Sequence, residues 1–133
     1  MISADNLTQD HLIAGVQWIS KMADPARWNL KNDEIACLLG IEAATFEEIQ
    51  HEALNCQPIT LTKDTVERLS LLLEIWKALN LFVPHERQDL AFEWFSKPTT
   101  SPAFNHKSIK DFLIEGKTIG SFNAVINYLR NPQ

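Results

Sequence analysis

The sequence predicts an all-α protein with about seven helices. Apolar residues recur at three- and four-residue spacing through most of the chain, as they do on the buried face of a helix. Residues that start or end helices separate these stretches, and no stretch alternates apolar and polar residues as a half-buried strand does. We expect a helix-turn-helix-like N-terminal half over residues 1–60, a shared central helix over 61–83 and a small helical C-terminal domain over 84–133.

The first predicted helix runs from Thr8 to Met22 and presents Val16 and Ile19 on one face. Trp28 follows in a short connection. Because an indole ring in so short a segment exposes a large apolar surface to water unless it is buried, we expect Trp28 to anchor the core.

Two short helices joined by a glycine turn come next. Asn32 or Asp33 is expected to cap the first helix, and Gly40 to end it in a left-handed conformation. The second is expected to run from Thr45 to Leu54. This arrangement is typical of a helix-turn-helix, although any pair of antiparallel helices can be joined in the same way.

The second helix of a helix-turn-helix reads duplex DNA, and its outer side chains need positive charge or amide groups for that purpose. The candidate DNA contacts on it are Thr45, Gln50 and His51. Its outer surface also carries four glutamates, which are Glu42, Glu47, Glu48 and Glu52. Because carboxylates repel phosphates, the sequence predicts the shape of a helix-turn-helix with weak affinity for duplex DNA.

The longest helical pattern runs from Leu61 to Phe82. Thr62 is placed to cap its first turn, and Pro84 excludes helical geometry at the residue before it. The apolar residues cover roughly 240° of the circumference, well beyond the single face of a surface helix. They form two adjacent stripes, Val66, Leu69, Leu72, Leu73, Trp76 and Leu79 in one and Leu71, Ile75, Ala78 and Phe82 in the other. Such a helix must be covered from at least two directions, either by two parts of its own chain, as a central core helix, or by its own chain and a partner. The central core helix is the favoured interpretation, and the excess apolar width also motivates the hypothesis of a homodimer.

Three further helices are predicted behind the central helix. The first lies between Pro84 and Pro98, the second starts at Ser108, and the third starts at Gly120. Phe104 is the one large apolar residue in the loop before the second of these helices. It either pins that loop to the core or is offered to a partner.

The second of these helices has two different faces. Ile109 and Phe112 lie on its inner side, whereas Lys110 and Ile114 share another face that is left for something other than this core. The buried face of the last helix is expected to contain Phe122, Val125, Ile126 and Leu129, with Tyr128 near its edge.

The sequence carries no catalytic signature. Its four glycines form no phosphate-binding loop, and its two cysteines and four histidines lack the spacing of a metal site. We therefore expect neither enzymatic activity nor a cofactor or metal. The N-terminus lacks the basic start and apolar core of a secretion signal, and no apolar run is long enough to span a membrane, which predicts a cytoplasmic protein.

Charge is distributed unevenly along the chain. Residues 1–60 contain nine acidic and three basic residues, for a net charge of −6, whereas residues 61–133 contain eight acidic and nine basic residues, for +1. Affinity for nucleic acid depends on neutralising phosphates, so the first half is poorly suited to a duplex.

Several motifs occur in a characteristic order. They are LLGI at 38–41, RLSLLLEIWKAL at 68–79, Trp94 and Pro98, Phe104 followed by Lys107-Ser108, and Gly116 before the closing VINYL at 125–129. This order resembles the antitoxins of the Xre/MbcA/ParS type, and the resemblance covers about residues 8–130. Members of that family have a Xre-like helix-turn-helix at the front and a toxin-binding domain at the back.

The resemblance implies a protein that binds a toxin with a RES domain, an enzyme type that consumes NAD, and silences it by covering its active-site cleft. It also implies a front domain that binds the promoter of its own operon. Carried onto this chain, the toxin-binding residues are Phe104, Asn105, His106, Lys107, Ser108, Lys110, Ile114, Tyr128 and Arg130.

The chain departs from the family pattern at three places. Asn105 and His106 stand where paired glycines are usual, and Ile109 stands where a proline or small turn residue is usual. The front reading helix carries glutamates where the family usually has arginine and tryptophan. The last departure works against promoter binding and leaves toxin binding untouched.

Two other functions remain open at this point. One is a helix-turn-helix transcriptional regulator without a toxin partner, which predicts salt-sensitive duplex binding by the isolated protein. The other is an interaction module that has kept the fold and lost its toxin, which predicts neither activity.

Overall fold

The computed structural model describes residues 8–98, 104 and 106–131. Within these residues it contains seven α-helices and no strand, which confirms the all-α prediction. The helices are α1 (Gln9–Met22), α2 (Asn32–Leu39), α3 (Ala43–Leu54), α4 (Lys63–Phe82), α5 (Asp89–Ser96), α6 (Ile109–Gly116) and α7 (Ile119–Arg130). None of the described helices has both the length and the apolar character needed to cross a membrane.

The chain divides into two compact units. Unit 1 contains Met1–Pro25 and Asn29–Ser70, and unit 2 contains Ala26–Trp28 and Leu71–Gln133. The division between them falls inside α4, whereas the sequence led us to treat this helix as a separate shared segment. By sequence, unit 1 carries eleven acidic and four basic residues, for −7, and unit 2 carries six acidic and eight basic residues, for +2.

In unit 1, α3 packs against both α1 and α2. The hydroxyl of Thr8 accepts from the backbone N–H of His11 at 3.4 Å, and the His11 ring accepts in return from the backbone N–H of Thr8, which forms a capping box at the start of α1. The side chain of Gln9 pairs with both backbone groups of Ile59, at 2.8 and 3.0 Å. This pair holds the segment before α4 against α1.

The start of α2 differs from the prediction. Lys31 is the N-cap residue, and its backbone N–H donates to the Glu34 carboxylate at 2.9 Å. The Asn32 amide instead points toward α3, where it donates to Glu47 at 3.3 Å. Asn32 is therefore the first residue of α2 and is not its cap.

The end of α2 is as predicted. Gly40 has φ 73°, in the left-handed region that favours glycine. Its N–H donates to the carbonyl of Cys37 at 3.2 Å, and the N–H of Ile41 donates to Ala36 at 3.0 Å. These two bonds form a Schellman motif, which satisfies the last carbonyls of α2 and turns the chain toward α3.

The start of α4 is also as predicted. The hydroxyl of Thr62 accepts from the N–H of Thr65 at 3.2 Å and so caps the first turn. Thr65 is buried, and its own hydroxyl donates to the carbonyl of Leu39 at 3.1 Å. This bond ties the end of α2 to the start of α4 within unit 1.

The burial of α4 confirms that the helix is covered on more than one side. Members of both predicted stripes are buried, namely Val66, Leu69, Leu71, Leu72, Ile75, Ala78 and Leu79. Leu73, Trp76 and Phe82 are only half-buried. Leu81, which belongs to neither stripe, is 87% exposed.

The core of unit 2 contains a cluster of four aromatic rings. Trp28 is fully buried and stacks on Phe95, with ring centroids 3.8 Å apart. Its other neighbour is Trp76, which meets it edge-on at 6.0 Å and stacks on Phe92 at 5.0 Å. The predicted anchoring role of Trp28 is confirmed.

The helix predicted after Pro84 is divided. A 3₁₀ turn over His85–Arg87 comes first, and α5 starts only at Asp89. Arg87 donates two hydrogen bonds to the Asp89 carboxylate, at 3.1 and 3.2 Å. These bonds lower the pKa of Asp89 and raise that of Arg87, and both side chains are exposed.

The turn between α6 and α7 differs in detail from the prediction. The residue in the left-handed conformation is Lys117, with φ 56°. Thr118 caps α7 by accepting from the N–H of Ser121 at 3.2 Å, so the helix begins at Ile119, one residue before the predicted Gly120. A Cβ added to Gly116 would overlap the side chain of Ser121. Gly116 is therefore required for the close approach of α7, and not for its backbone conformation.

Neither cysteine takes part in a disulfide, and Cys37 is half-buried whereas Cys56 is exposed. Cys56 lies just after α3 and has φ 56°.

Candidate functional site

The predicted toxin-binding residues all belong to unit 2, on α6, on α7 and in the segment before α6. Two of them are exposed, His106 and Arg130, and four are half-buried, Lys107, Lys110, Ile114 and Tyr128. Asn105 lies outside the described residues. We call the six residues that reach the surface the unit 2 surface.

Ser108 fixes the start of α6 and takes no direct part in the unit 2 surface. Its hydroxyl accepts from the backbone N–H of Asp111 at 3.0 Å, as an N-cap does. The residue is only 1% exposed, and Ile109 beside it is fully buried. Because a buried hydroxyl cannot reach a partner, the direct contact predicted for Ser108 is replaced by a structural role, that of orienting α6.

Phe104 is also buried, at 1% exposure. Its ring meets Phe112 of α6 at 5.4 Å and Tyr128 of α7 at 4.9 Å, both in edge-to-face geometry. The sequence left two roles open for Phe104, packing against the core or contact with a partner. Its burial supports packing against the core. In this conformation Phe104 supports the surface from beneath, and its predicted direct contact with a partner is corrected.

The contacts of Tyr128 extend this row of rings. Phe82 of α4 lies 6.5 Å from Tyr128, and Trp94 of α5 lies 4.8 Å from Phe82. Tyr128 is thus held between Phe82 on one side and Phe104 on the other, while part of its side chain remains at the surface. Packing on two sides restricts the ring, which reduces the entropy it loses when it contacts a partner.

His106 shows how the chain accommodates its departure from a glycine pair. The residue has φ 62°, in the left-handed region, and its side chain is exposed. A histidine tolerates this conformation better than a β-branched residue does. The N–H of Lys107 then donates to the carbonyl of Phe104 at 2.9 Å and closes the turn before α6.

Two cations of the unit 2 surface, Lys107 and Arg130, are paired with carboxylates. Lys107 pairs with Glu115 of α6. Arg130, the last residue of α7, donates to Glu74 of α4 at 2.6 Å. Lys110 lies one helical turn before Ile114, so α6 presents a cation and an apolar side chain on one face.

Glu74 is the member of this site that the sequence reasoning missed. Glu74 belongs to neither apolar stripe of α4, and nothing in the sequence near it indicates a partner. Glu74 and Arg130 are 56 positions apart, and no local pattern links them. Only the packing of α7 beside α4 within unit 2 brings the two together.

The candidate DNA contacts lie on α3 in unit 1. Thr45 and His51 are exposed, whereas Gln50 is half-buried and bonded within the unit. Gln50 donates to the hydroxyl of Ser20 at 3.1 Å and accepts from the Asn32 amide at 3.5 Å. Its side chain is thus engaged by α1 and α2, so reading a base edge would require breaking these bonds.

The exposed surface of α3 is acidic, as the sequence indicated. The helix contains no lysine or arginine, and its three glutamates, Glu47, Glu48 and Glu52, are exposed together with Glu42 at its N-cap. Glu48 and Glu52 are four positions apart, where like charges repel each other on a helix. Nothing on this helix offsets the repulsion that a phosphate backbone would meet.

No cluster of three or more histidine, cysteine, aspartate or glutamate side chains suited to a metal ion occurs in the part of the chain that the structure describes. The polar groups of the unit 2 surface are lysine, arginine, histidine and tyrosine side chains. Such a set suits contacts with anionic and apolar groups of another protein.

Fold and surface together define an all-α protein of two compact helical units. A curated relative, the uncharacterized protein y4oB of Sinorhizobium fredii, is 37% identical over 100 residues, which cover 74% of this chain and 70% of that protein. The chain belongs to the family of y4oB. No protein-family model matches the chain. A search of solved structures gives no significant match.

Proposed function

We propose that the protein is an antitoxin that binds a RES-domain, NAD-consuming toxin through the unit 2 surface and silences it by occlusion. The proposal rests on the resemblance of the motif order to Xre/MbcA/ParS-type antitoxins. The structural observation that carries it is the exposure pattern of the predicted contacts. Six of the predicted residues reach the surface, and the two buried ones, Phe104 and Ser108, support them from within.

The chemistry of the unit 2 surface supports occlusion. Ile114 and Tyr128 offer apolar area, and cationic side chains such as Lys110 and Arg130 accompany them. Interfaces commonly combine aromatic anchors and arginine with a polar rim. Inhibition by this route needs no reaction on the antitoxin, because the surface only has to fill the cleft of the toxin and pair its polar groups.

The proposal predicts that a RES-type toxin is encoded beside the gene, and the test is to purify the protein with that gene product and to measure NAD consumption. We expect a stable complex and inhibition that is complete at stoichiometric antitoxin. Lys110→Glu should weaken inhibition and leave the fold intact, whereas Lys63→Glu, the same charge change on an exposed lysine of unit 1, should not. Absence of a complex with the wild-type protein, or equal inhibition by both variants, would overturn the proposal.

A second candidate function is transcriptional regulation through α2 and α3, with no toxin partner. The observation in its favour is the pair of helices joined at Gly40 by a tight turn. The acidic outer surface of α3 argues against it. Within the antitoxin proposal, promoter binding by unit 1 is accordingly weak.

We also propose that the protein is a homodimer. Support comes from the residues of α4 that are incompletely covered, including the half-buried Leu73 and Phe82 and the exposed Leu81. Light scattering across a dilution series should give the mass of two chains. A mass of one chain at every concentration would refute the dimer without affecting the toxin proposal.

A further inference from the structure

Arg130 is held in place before any partner arrives. Its Nη2 atom donates to the Glu74 carboxylate at 2.6 Å, a short distance for a bond between charged groups. The Arg130 side chain is 56% exposed and that of Glu74 is 30% exposed. The carboxylate is thus the more buried member, and the guanidinium extends from it toward solvent.

The geometry leaves most of the guanidinium available. An arginine side chain has five N–H donors in a planar fork. Among the described residues, Glu74 is the one hydrogen-bond partner of the Arg130 side chain. The remaining donors can bind an anionic group, and of the groups whose shape matches the fork, carboxylate is the one that the side chains of a partner protein supply.

Two α4 residues contact the end of α7 at Arg130 and Tyr128. Glu74 accepts from Arg130, and Phe82, eight residues further along α4, contacts the Tyr128 ring. Glu74 and Phe82 therefore hold Arg130 and Tyr128, the two α7 residues of the unit 2 surface. Lys77 lies 3.9 Å from Glu74 on its other side, so the carboxylate faces two cations.

We infer that Glu74 is a positioning residue of the unit 2 surface: it orders the guanidinium of Arg130 so that its outer N–H groups receive a carboxylate of the partner protein. This inference rests on the proposed function for the identity of the partner. A flexible arginine loses side-chain entropy when it is bound, and a residue that has already lost it binds more tightly. Glu74 touches no partner atom in this account and acts through Arg130.

Glu74 also has an electrostatic effect that opposes binding of the partner. Its negative charge repels an incoming carboxylate, and by this effect alone the removal of Glu74 would strengthen binding. The guanidinium carries a positive charge between the two carboxylates, and both Glu74 and Arg130 are partly exposed to water of high dielectric constant, so this repulsion is weakened. The ordering of Arg130 is present in the free protein, and we expect its gain in affinity to exceed the loss from repulsion.

The first experiment is a double-mutant cycle on the affinity for the RES-domain toxin. Glu74→Ala should weaken binding about 2- to 12-fold, the range that corresponds to ordering one side chain. In an Arg130→Ala background the same change should have no further effect. Glu74→Gln, which retains an acceptor oxygen, should recover part of the affinity. The matched control is Glu93→Ala, which removes a similar exposed ion pair, with Lys97, elsewhere in unit 2.

The second experiment needs no partner. Nitrogen-15 relaxation of the Arg130 side chain in the free protein should show restricted motion, while Arg27, an exposed arginine, serves as the mobile reference. Glu74→Ala should make Arg130 as mobile as Arg27, with an unchanged melting temperature.

The outcomes separate the inference from the proposed function. A wild-type protein that does not bind the toxin refutes the proposed function, and the relaxation measurement still decides whether Glu74 orders Arg130. Toxin binding that is unaffected or strengthened by Glu74→Ala, or weakened equally in the Arg130→Ala background, overturns the inference alone. An Arg130 side chain that is mobile in the wild type also overturns it.

Discussion

The indole ring of Trp28 lies flat against the phenyl ring of Phe95, with 3.8 Å between centroids and 11° between planes. Both residues are fully buried. Trp28 comes from a segment of three residues, Ala26–Trp28, that belongs to unit 2 although the residues on either side of it belong to unit 1. The stack on Phe95 thus helps to hold this segment, which has no regular secondary structure, in unit 2.

Removing one ring of this pair should be among the most destabilising single changes in the chain. We expect Phe95→Ala to lower the free energy of unfolding by about 3–5 kcal/mol, because it leaves a cavity beside Trp28. Urea denaturation measures the loss. Leu54→Ala, which truncates an apolar side chain that is 56% exposed, is the control and should change the same quantity by less than about 0.5 kcal/mol. Equal losses for the two variants would show that Phe95 is not a core residue.

Two glycines should respond in opposite directions to substitution by alanine. Gly40 has φ 73°, and a Cβ there would lie 3.1 Å from Nε of Arg68, so Gly40→Ala should cost about 1–2 kcal/mol. Gly120 lies in α7, where a Cβ would meet nothing nearer than 3.6 Å, so Gly120→Ala should stabilise the protein by about 0.4–1 kcal/mol. Thermal unfolding of the two variants gives the comparison. A stabilised Gly40→Ala variant would contradict the left-handed turn.

The buried hydroxyl of Thr65 offers a test of the bond between α2 and α4. Thr65→Val keeps the shape of the side chain and leaves the carbonyl of Leu39 without its donor, which should cost about 1–3 kcal/mol. Thr65→Ser keeps the hydroxyl and should cost less than the valine variant does. Chemical denaturation gives the free energies of unfolding of the two variants. A serine variant less stable than the valine variant would rule out a significant contribution from the hydrogen bond.

The acidic surface of α3 should limit binding of unit 1 to DNA. We expect the wild-type protein to bind duplex DNA weakly at physiological salt in fluorescence anisotropy. Changing Glu47, Glu48 and Glu52 to lysine should raise the affinity and steepen its salt dependence, because each new phosphate contact adds about −0.9 to the slope of log K against log salt. Tight, salt-sensitive binding by the wild type would instead favour the transcriptional regulator.

The sequence by itself determined the helices and the faces that they bury. The buried face of α7 contains the predicted Phe122, Val125, Ile126 and Leu129, and the predicted cap of α4 and left-handed glycine at the end of α2 are in place. These features depend on interactions within one or two helical turns, namely the apolar period and the bonds that capping side chains make to nearby backbone groups. At the start of α2, where neighbouring residues compete for the N-cap position, the observed cap Lys31 lies one residue before the predicted Asn32.

Tertiary structure alone decided which distant residues meet. It buried Phe104, stacked Trp28 on Phe95, and placed Glu74 against Arg130, 56 positions away. It also put the division between the two units inside α4. An apolar period shows that a residue faces a core, but the identity of its neighbour depends on how whole helices pack, and packing is a property of surfaces formed by many residues at once.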